Sequence, residues 1–230
     1  MWWRLLVGLQ QGHTLARLLM NEQLRHYSVS GIIVDLGAGK QPASYLKLVT
    51  RPGSDVVSVD RDTGRQPTLV ADIQQGIPLS GDSVDAVLCM NLLEHTWQYE
   101  AIIQEAQRIL KPGGVLIGAV PFLYPIHPFP NRIYNDCFRF TDTTLHHLLK
   151  DAGFTAIAIQ PTGIGPTTAG LFFAELPWIR ILKWIPLFRF LLYLGASAVD
   201  TIAYLTFQRL IYHTTEHPFV LGYVFTGRKQ

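Results

Sequence analysis

The run Ile32-Ile33-Val34-Asp35-Leu36 ends in the turn Gly37-Ala38-Gly39, and four more short apolar runs follow it before Pro121. Val56-Val57-Ser58-Val59-Asp60 closes on an acid, as does Leu69-Val70-Ala71-Asp72; Val84 to Met90 and Val115 to Val120 complete the set. Runs this short, rich in β-formers and separated by helical stretches, specify a parallel sheet buried on both faces.

The intervening segments agree. Tyr99, Ile102, Ile103, Ala106, Ile109 and Leu110 recur at helical spacing, so one helix covers Tyr99 to Leu110. Lys111-Pro112-Gly113-Gly114 stops it and feeds the fifth strand. A second helix starts at a Thr141 cap, runs through Leu145, Leu148, Leu149 and Ala152, and ends at Gly153. Phe154 to Ile159 reads as a sixth strand and Phe219 to Phe225 as a last one. Near the N-terminus, Leu5, Leu9, Leu15, Leu18 and Leu19 mark a helix from about Leu5 to Leu24. That stretch lacks the basic region and the small-residue cleavage site of a signal peptide.

Composition locates the unusual part. Only 16% of the 230 residues are charged, against about 25% in an ordinary soluble domain. Hydrophobic residues reach 48% and mean hydropathy is +0.19, which excludes disordered, collagen-like and disulfide-scaffold chains. Net charge is +2, too balanced for an electrostatic nucleic-acid binder, so no nucleic acid is expected. Two cysteines, Cys89 and Cys137, sit in apolar or aromatic runs and suit a reduced compartment. The apolar surplus lies in Ala169 to Tyr212. Glu175, Arg180, Lys183, Arg189, Asp200 and Arg209 interrupt it, and Pro177 and Pro186 break its helices, so it does not read as a clean membrane span. It reads as a lid packed on the sheet, as a dimer surface, or as an element in a membrane interface. In the last case Trp178, Trp184, Tyr193 and Tyr204 would be anchors, with Arg180, Lys183 and Arg189 near headgroups.

The chemistry-bearing residues gather at strand ends. Glycines in the Gly37-Ala38-Gly39 turn let backbone approach a ligand closely. A dinucleotide site would want a glycine at position 42, where Pro42 stands. Asp60 follows Gly39 by about 20 residues at the end of a strand, where an acid can accept hydrogen bonds from two ribose hydroxyls. Ala71-Asp72-Ile73 can flank a purine, and Asn91-Leu92-Leu93-Glu94-His95 follows the fourth strand. Plainer readings stand beside these. The glycines make a tight turn, Asp72 caps a helix, and Glu94 pairs with a cation. His95 and His127 titrate near neutral pH and are candidate general bases, or they pack at a strand end and in a proline-rich loop. Asp136 and Arg139 bind substrate, or form an internal ion pair that orders their loop. His146 and His147 read as surface residues. His213 and His217 have a metal-compatible spacing, but Pro218 follows at once and no metal is expected.

Taken together, Val34-Asp35-Leu36-Gly37-Ala38-Gly39, Asp60, Ala71-Asp72-Ile73, Ile77-Pro78-Leu79, Ser83-Val84-Asp85-Ala86-Val87, Leu93-Glu94-His95 and Arg108-Ile109-Leu110-Lys111-Pro112-Gly113-Gly114 resemble the class I S-adenosylmethionine-dependent methyltransferases, type 11 subgroup. The resemblance covers roughly residues 30 to 160 and resumes at the last strand. A further stretch, from Pro121-Phe122 through His127, Pro130, Asp136 and Phe138-Arg139-Phe140-Thr141 to Ala152-Gly153-Phe154, is similar to methyltransferases of glycan and cell-surface polymer pathways. Where the family commonly has a third glycine this chain has Gln41, and Pro42 after it suits the first turn of a helix.

The resemblance implies a Rossmann-like α/β fold: a mostly parallel seven-stranded sheet with helices on both faces and an apolar helical insertion before the last strand. It implies one domain over 1–230, with an N-terminal helical segment (1–30), a cofactor-binding core (31–160), the insertion (161–216) and the last strand (217–230). S-adenosylmethionine would be held by Asp35, Gly37, Ala38 and Gly39 at its methionine end, by Asp60 with Arg61 at the ribose, by Asp72 and Ile73 at the adenine, and by Asn91 near the methyl group. The implied reaction is methyl transfer to a small-molecule, glycan or lipid-linked acceptor at oxygen. Loop 121–141 and segment 163–215 would form the acceptor pocket, with Asp136 and Arg139 touching the acceptor and His127 or His95 taking its proton. Cytoplasmic location, peripheral contact with the inner face of a membrane through 169–212, and a homodimer are further expectations. The alternative is a catalytically inactive cofactor-binding domain that serves as a partner- or membrane-binding scaffold.

Overall fold

The computed structural model describes residues 2–39, 42–126, 135–175, 185–211 and 219–230, without the side chains of 175 and 204–211. Seven strands are found among them: β1 (Ile32–Leu36), β2 (Asp55–Asp60), β3 (Leu69–Val70), β4 (Val84–Met90), β5 (Leu110–Pro121), β6 (Phe154–Thr162) and β7 (Gly222–Lys229). They form a single sheet in the order β3-β2-β1-β4-β5-β7-β6. β1 runs parallel to β2, with Ile32 opposite Asp55, and to β4, with Ile33 opposite Ala86; β2–β3 and β4–β5 are parallel too. The sheet is the mostly parallel one that the apolar runs require. Ile33, Val34, Leu36, Val87, Leu88 and Cys89 are fully buried, as expected of strands covered on both faces. β1 has β2 on one side and β4 on the other, so the strand order reverses there. Open α/β sheets bind ligands beyond the strand ends at such a reversal.

Helices α1 (Trp2–Gln10), α2 (Leu15–Leu24), α3 (Leu46–Val49), α4 (Tyr99–Ile109), α5 (Asp142–Asp151), α6 (Pro166–Glu175) and α7 (Pro186–Ile211) complete the described elements. In α4 the face Ile102, Ile103, Ala106 and Ile109 is buried, as its spacing predicts. α5 starts on Thr141, whose hydroxyl accepts from Thr144 N at 3.2 Å. The chain divides into two compact units, a sheet unit of Gln23–Gln160 with Tyr223–Gln230 and a helical unit of Met1–Glu22 with Pro161–Gly222.

Several boundaries depart from the sequence reading. The single helix expected over Leu5 to Leu24 is two, because the chain turns at Gly12, whose φ is +80°. Pro42 does not open a helix; α3 begins at Leu46 and has only 4 residues. Lys111-Pro112-Gly113-Gly114 lies inside β5, where pairing with β4 shifts register between Val84 and Ala86. Such an irregularity takes up extra residues without ending the strand. β7 starts at Gly222 rather than at the expected Phe219. α7 runs 26 residues without a break, because Pro186 is its first residue, where a missing N–H costs nothing. Of the three charges in it read as interruptions, Arg189 and Asp200 are turned inward, and the side chain of Arg209 lies outside the described residues.

Candidate functional site

β1 delivers the chain to a turn that only glycine fits well. Gly37 and Gly39 have φ of +62° and +59°. A Cβ on Gly37 would lie 2.6 Å from Leu92 Cδ1, and one on Gly39 2.9 Å from Arg65 Nη1. The turn is fastened to the end of β2: Gly37 N and Ala38 N both donate to Val59 O, at 2.9 and 3.2 Å. Asp60, the next residue, is buried; its Oδ2 accepts from Gly39 N at 3.1 Å and its Oδ1 from Asp62 N at 2.9 Å. One carboxylate therefore spans the glycine turn and the loop after β2.

Above these groups lies an open cleft. Gly37, Asp60, Arg61, Asp72, Ile73 and His95 line it, together with Ala71, Gln74, Leu92, Thr96 and Ile102. Strand ends far apart in sequence are thus brought to one place. Asp72 serves two ends at once: it caps the 3-10 turn Ile73–Gln75, accepting from Gln74 N at 3.2 Å, and it lines the cleft. Leu92, Gln74 and Thr96 carry no motif that sequence reasoning can use, and the spacing of Ile102 marks only the core face of α4.

The other candidates lie beside or beneath the cleft. Asp35 is fully buried, and Tyr45 Oη sits 2.8 Å from each of its carboxylate oxygens. No sequence signal points to Tyr45 in this role. Asn91 is exposed at the end of β4 with φ +51°, and its N–H donates to Ala119 O at 2.8 Å. Burial, followed by the charges of Glu94 and Asp35, pushes the Cys89 thiol far up, so it is no nucleophile.

His95 closes a 3-10 turn just after β4. Its Nδ1 lies 2.8 Å from Asn135 O; a carbonyl only accepts, so Nδ1 carries the hydrogen and Nε2 is the basic nitrogen. Nε2 is 3.7 Å from Glu94 Oε1. Glu94 is fully buried, and neither of its carboxylate oxygens has a hydrogen-bond partner among the described residues. Burial, opposed by its own backbone N–H, aided by the Asp136 charge and opposed by Arg139, pushes its carboxyl up to about 8. The Glu94 carbonyl accepts from Cys137 N at 2.7 Å, which joins this turn to the segment of Asp136 and Arg139.

Asp136 and Arg139 form the internal ion pair. Both Arg139 terminal nitrogens reach the carboxylate, Nη2 at 2.7 Å to Oδ2, and Nη2 also donates to Tyr124 O at 3.3 Å. Edge-on contacts of Phe138 with Trp97 (4.9 Å) and Tyr99 (5.0 Å) hold the segment in position. His127 and the pair His213 and His217 lie outside the described residues. His146 and His147 are exposed on α5. Among the described residues no group of three or more His, Cys, Asp or Glu side chains has the placement of a metal site.

Comparison with known proteins points the same way over part of the chain. The model of a methyltransferase domain, type 11, matches residues 34–118. A Mycolicibacterium smegmatis protein described as a probable S-adenosylmethionine-dependent methyltransferase is 27% identical over 152 residues, 58% of this chain and 55% of its own length. A Mycobacterium tuberculosis protein of the same description is 32% identical over 98 residues, 39% of this chain and 34% of its own. This chain thus spans about half the length, or less, of the curated relatives it matches. A solved S-adenosylmethionine-dependent methyltransferase from Archaeoglobus fulgidus superposes with TM-score 0.57 over 93% of this chain and 94% of its own, at 13% identity. The glycine turn, the strand-end acids and the strand order thus follow the pattern of a type 11 methyltransferase domain over residues 34–118, and the proteins this chain is similar to are described as S-adenosylmethionine-dependent methyltransferases.

Proposed function

We propose that the chain transfers a methyl group from S-adenosylmethionine to a small-molecule, glycan or lipid-linked acceptor, at oxygen. The observation that carries this reading is the cleft at the reversal of strand order, with a glycine turn whose left-handed backbone disfavours any side chain and a buried Asp60 at its edge. When bound, the cofactor supplies an electrophilic methyl group on a positively charged sulfur. Asp35, to whose carboxylate Tyr45 donates, and Gly37, Ala38 and Gly39 would hold its methionine end. Asp60 and Arg61 would take the ribose, Asp72 and Ile73 the adenine. Asn91, at the end of β4, would bound the methyl side.

At the acceptor, an oxygen nucleophile must lose a proton. His95 suits that task, since it lines the cleft, its Nδ1 hydrogen is committed to Asn135 O, and its Nε2 is basic. His127 is the second candidate base. Asp136 and Arg139 act through their ion pair, which orders the segment beside His95, and through it orient the acceptor. Two free cysteines suit the reduced, cytoplasmic compartment in which the enzyme would work.

Calorimetric titration with S-adenosylmethionine and S-adenosylhomocysteine tests the reading. Saturable binding is expected for the wild type, weakened at least ~100-fold in Asp60→Ala, the loss of a charge-assisted pair of hydrogen bonds. A folded wild type that binds neither molecule, with or without vesicles and candidate acceptors, would overturn it in favour of the inactive scaffold.

A further inference from the structure

α7 is built inside out. Arg189, Tyr193, Ser197 and Asp200 face the other helices of its unit. Arg189 is 1% exposed and donates from Nη1 to Leu9 O at 3.3 Å and from Nη2 to His13 O at 3.5 Å, at the C-terminal end of α1. Asp200 is buried and accepts from Thr167 N, Thr168 N and Thr168 Oγ1 at 2.8, 2.8 and 2.6 Å, at the N-terminal end of α6. Tyr193 and Ser197 are buried on the same side. The expected interfacial roles of Tyr193 and Arg189 are thereby corrected, since both side chains turn inward. Trp178, Arg180, Lys183 and Trp184 lie outside the described residues, as does the side chain of Tyr204.

The outward side is the reverse. Leu187, Phe188, Leu191, Leu194, Val199 and Ile202 are exposed at helical spacing. From Ile185 to Ala203 no charged side chain is exposed. The one hydroxyl there, Thr201, gives its hydrogen back to Ser197 O at 2.8 Å. The window Pro186–Ala203 has a hydropathy of 1.2 over 18 residues and is only 28% buried. A core helix of a water-soluble protein would be mostly buried, and a surface helix would carry its charges outward.

Between Ile185 and Ala203 a protein partner would find no exposed charge, whereas interfaces surround their apolar centre with polar groups and make regular hydrogen bonds. This face offers no charge and no free side-chain donor, which matches an uncharged medium that cannot hydrogen-bond. Hydrocarbon demands the arrangement seen, with ionisable groups turned to the helix bundle. The 18-residue window is ~27 Å long at 1.5 Å per residue, close to the ~30 Å of a bilayer's hydrocarbon core. On α1, which packs against α7 through Trp2 and Phe190 at 6.4 Å, Trp3 is 73% exposed, an aromatic suited to the headgroup boundary.

We propose that the outward face of α7 is a lipid-contacting surface seated in the acyl chains of a bilayer. Lipid contact stands whether or not the chain transfers methyl groups. The test is flotation of the full chain with vesicles of phosphatidylcholine alone and of phosphatidylcholine with phosphatidylglycerol. The protein should float with both, and high salt should not release it. Leu191→Glu combined with Ile202→Glu should lower the floated fraction at least ~tenfold, while circular dichroism and a cooperative melt report that the chain is still folded. In a separate Leu191→Trp variant, the added emission should be quenched by lipids brominated in their acyl chains. Folded wild type that stays at the bottom of the gradient, a charged variant that floats as well as wild type, or added emission that brominated lipids leave unquenched would overturn the proposal. So would a detergent-free dimer that the two glutamates split, which would assign the face to a second copy.

Discussion

In the sheet unit, apolar strands lie inside and the polar strand ends Asp60, Arg61, Asp72 and His95 line an open cleft. Along α7 of the helical unit the order is reversed, with Arg189 and Asp200 inside and leucines outside. The two regions also treat buried charge differently. Arg189 and Asp200 are held by backbone and hydroxyl groups of neighbouring helices, and Asp35 and Asp60 by Tyr45 and loop N–H groups. Glu94 has no such partner among the described residues. A satisfied buried charge fixes structure; an unsatisfied one is free to change protonation. The comparison places structural charges in both units and the titrating one beside the cleft.

The largest effect should therefore come from pH acting on Glu94. Its folded-state carboxyl is raised to about 8 by burial, above the ~4.3 of an unfolded glutamate. Below the unfolded value both states are protonated and the contribution to stability is whole. As pH rises from there, the unfolded chain gives up its proton and the folded one keeps it. Stability is lost by about 1.4 kcal/mol per pH unit, until the folded pKa is passed near 8. Urea midpoints measured from pH 5 to 9 should show this slope in wild type and a flatter one in Glu94→Gln. Parallel curves would show that Glu94 is partnered, and would erase the contrast with Asp35 and Asp60.

Gly37→Ala should follow, at about 2–4 kcal/mol, from a positive φ and a forced contact with Leu92. Cofactor binding should fall with it, because Leu92 lines the same cleft. Calorimetry and thermal unfolding on one sample decide the matter. A stable variant with unchanged affinity would reduce the turn to a plain connection. In the helical unit, Asp200→Ala removes the acceptor for two N–H groups at the start of α6 and should cost about 2 kcal/mol. Cofactor affinity should be unmoved, since no cleft residue belongs to that unit.

What could be read from the sequence was local. Strand runs, the 3.6-residue period of α4, the Thr141 cap and the acids at strand ends each depend on neighbours a few positions away, and they appear where expected. What could not be read depends on distant partners. Nothing near Asp35 announces Tyr45 as the donor to its carboxylate. Nothing near Glu94 announces that the Cys137 segment will cover it. Arg189 and Asp200 interrupt an apolar run in sequence and so argue against a long apolar helix, yet folding turns both inward and leaves the outer face from Ile185 to Ala203 free of charge. The break at Gly12 is another case: the leucine period runs straight through it, and only the positive φ shows the turn.

The smallest effect is expected at Asn91, and it bears on whether the polar end of the cleft holds strain for a purpose. Asn91 stands at the end of β4 with φ +51°, where a side chain is tolerated at some cost and glycine at none. Its N–H is already used by Ala119 O, so replacement by glycine disturbs no backbone bond. Asn91→Gly should stabilise the chain slightly, by up to about 1 kcal/mol, or leave it unchanged once the added freedom of the unfolded glycine is counted. If the amide bounds the methyl side of the cofactor, turnover should nevertheless fall while cofactor affinity changes little, because the amide would act on the transferring group rather than on the adenine or ribose. A rise in stability with unchanged turnover would mean that the left-handed turn merely leads the chain out of β4. Strain kept at a cost to stability is a property of functional sites, so the two readings on one variant separate a strand terminus that shapes the reaction from one that only ends a strand.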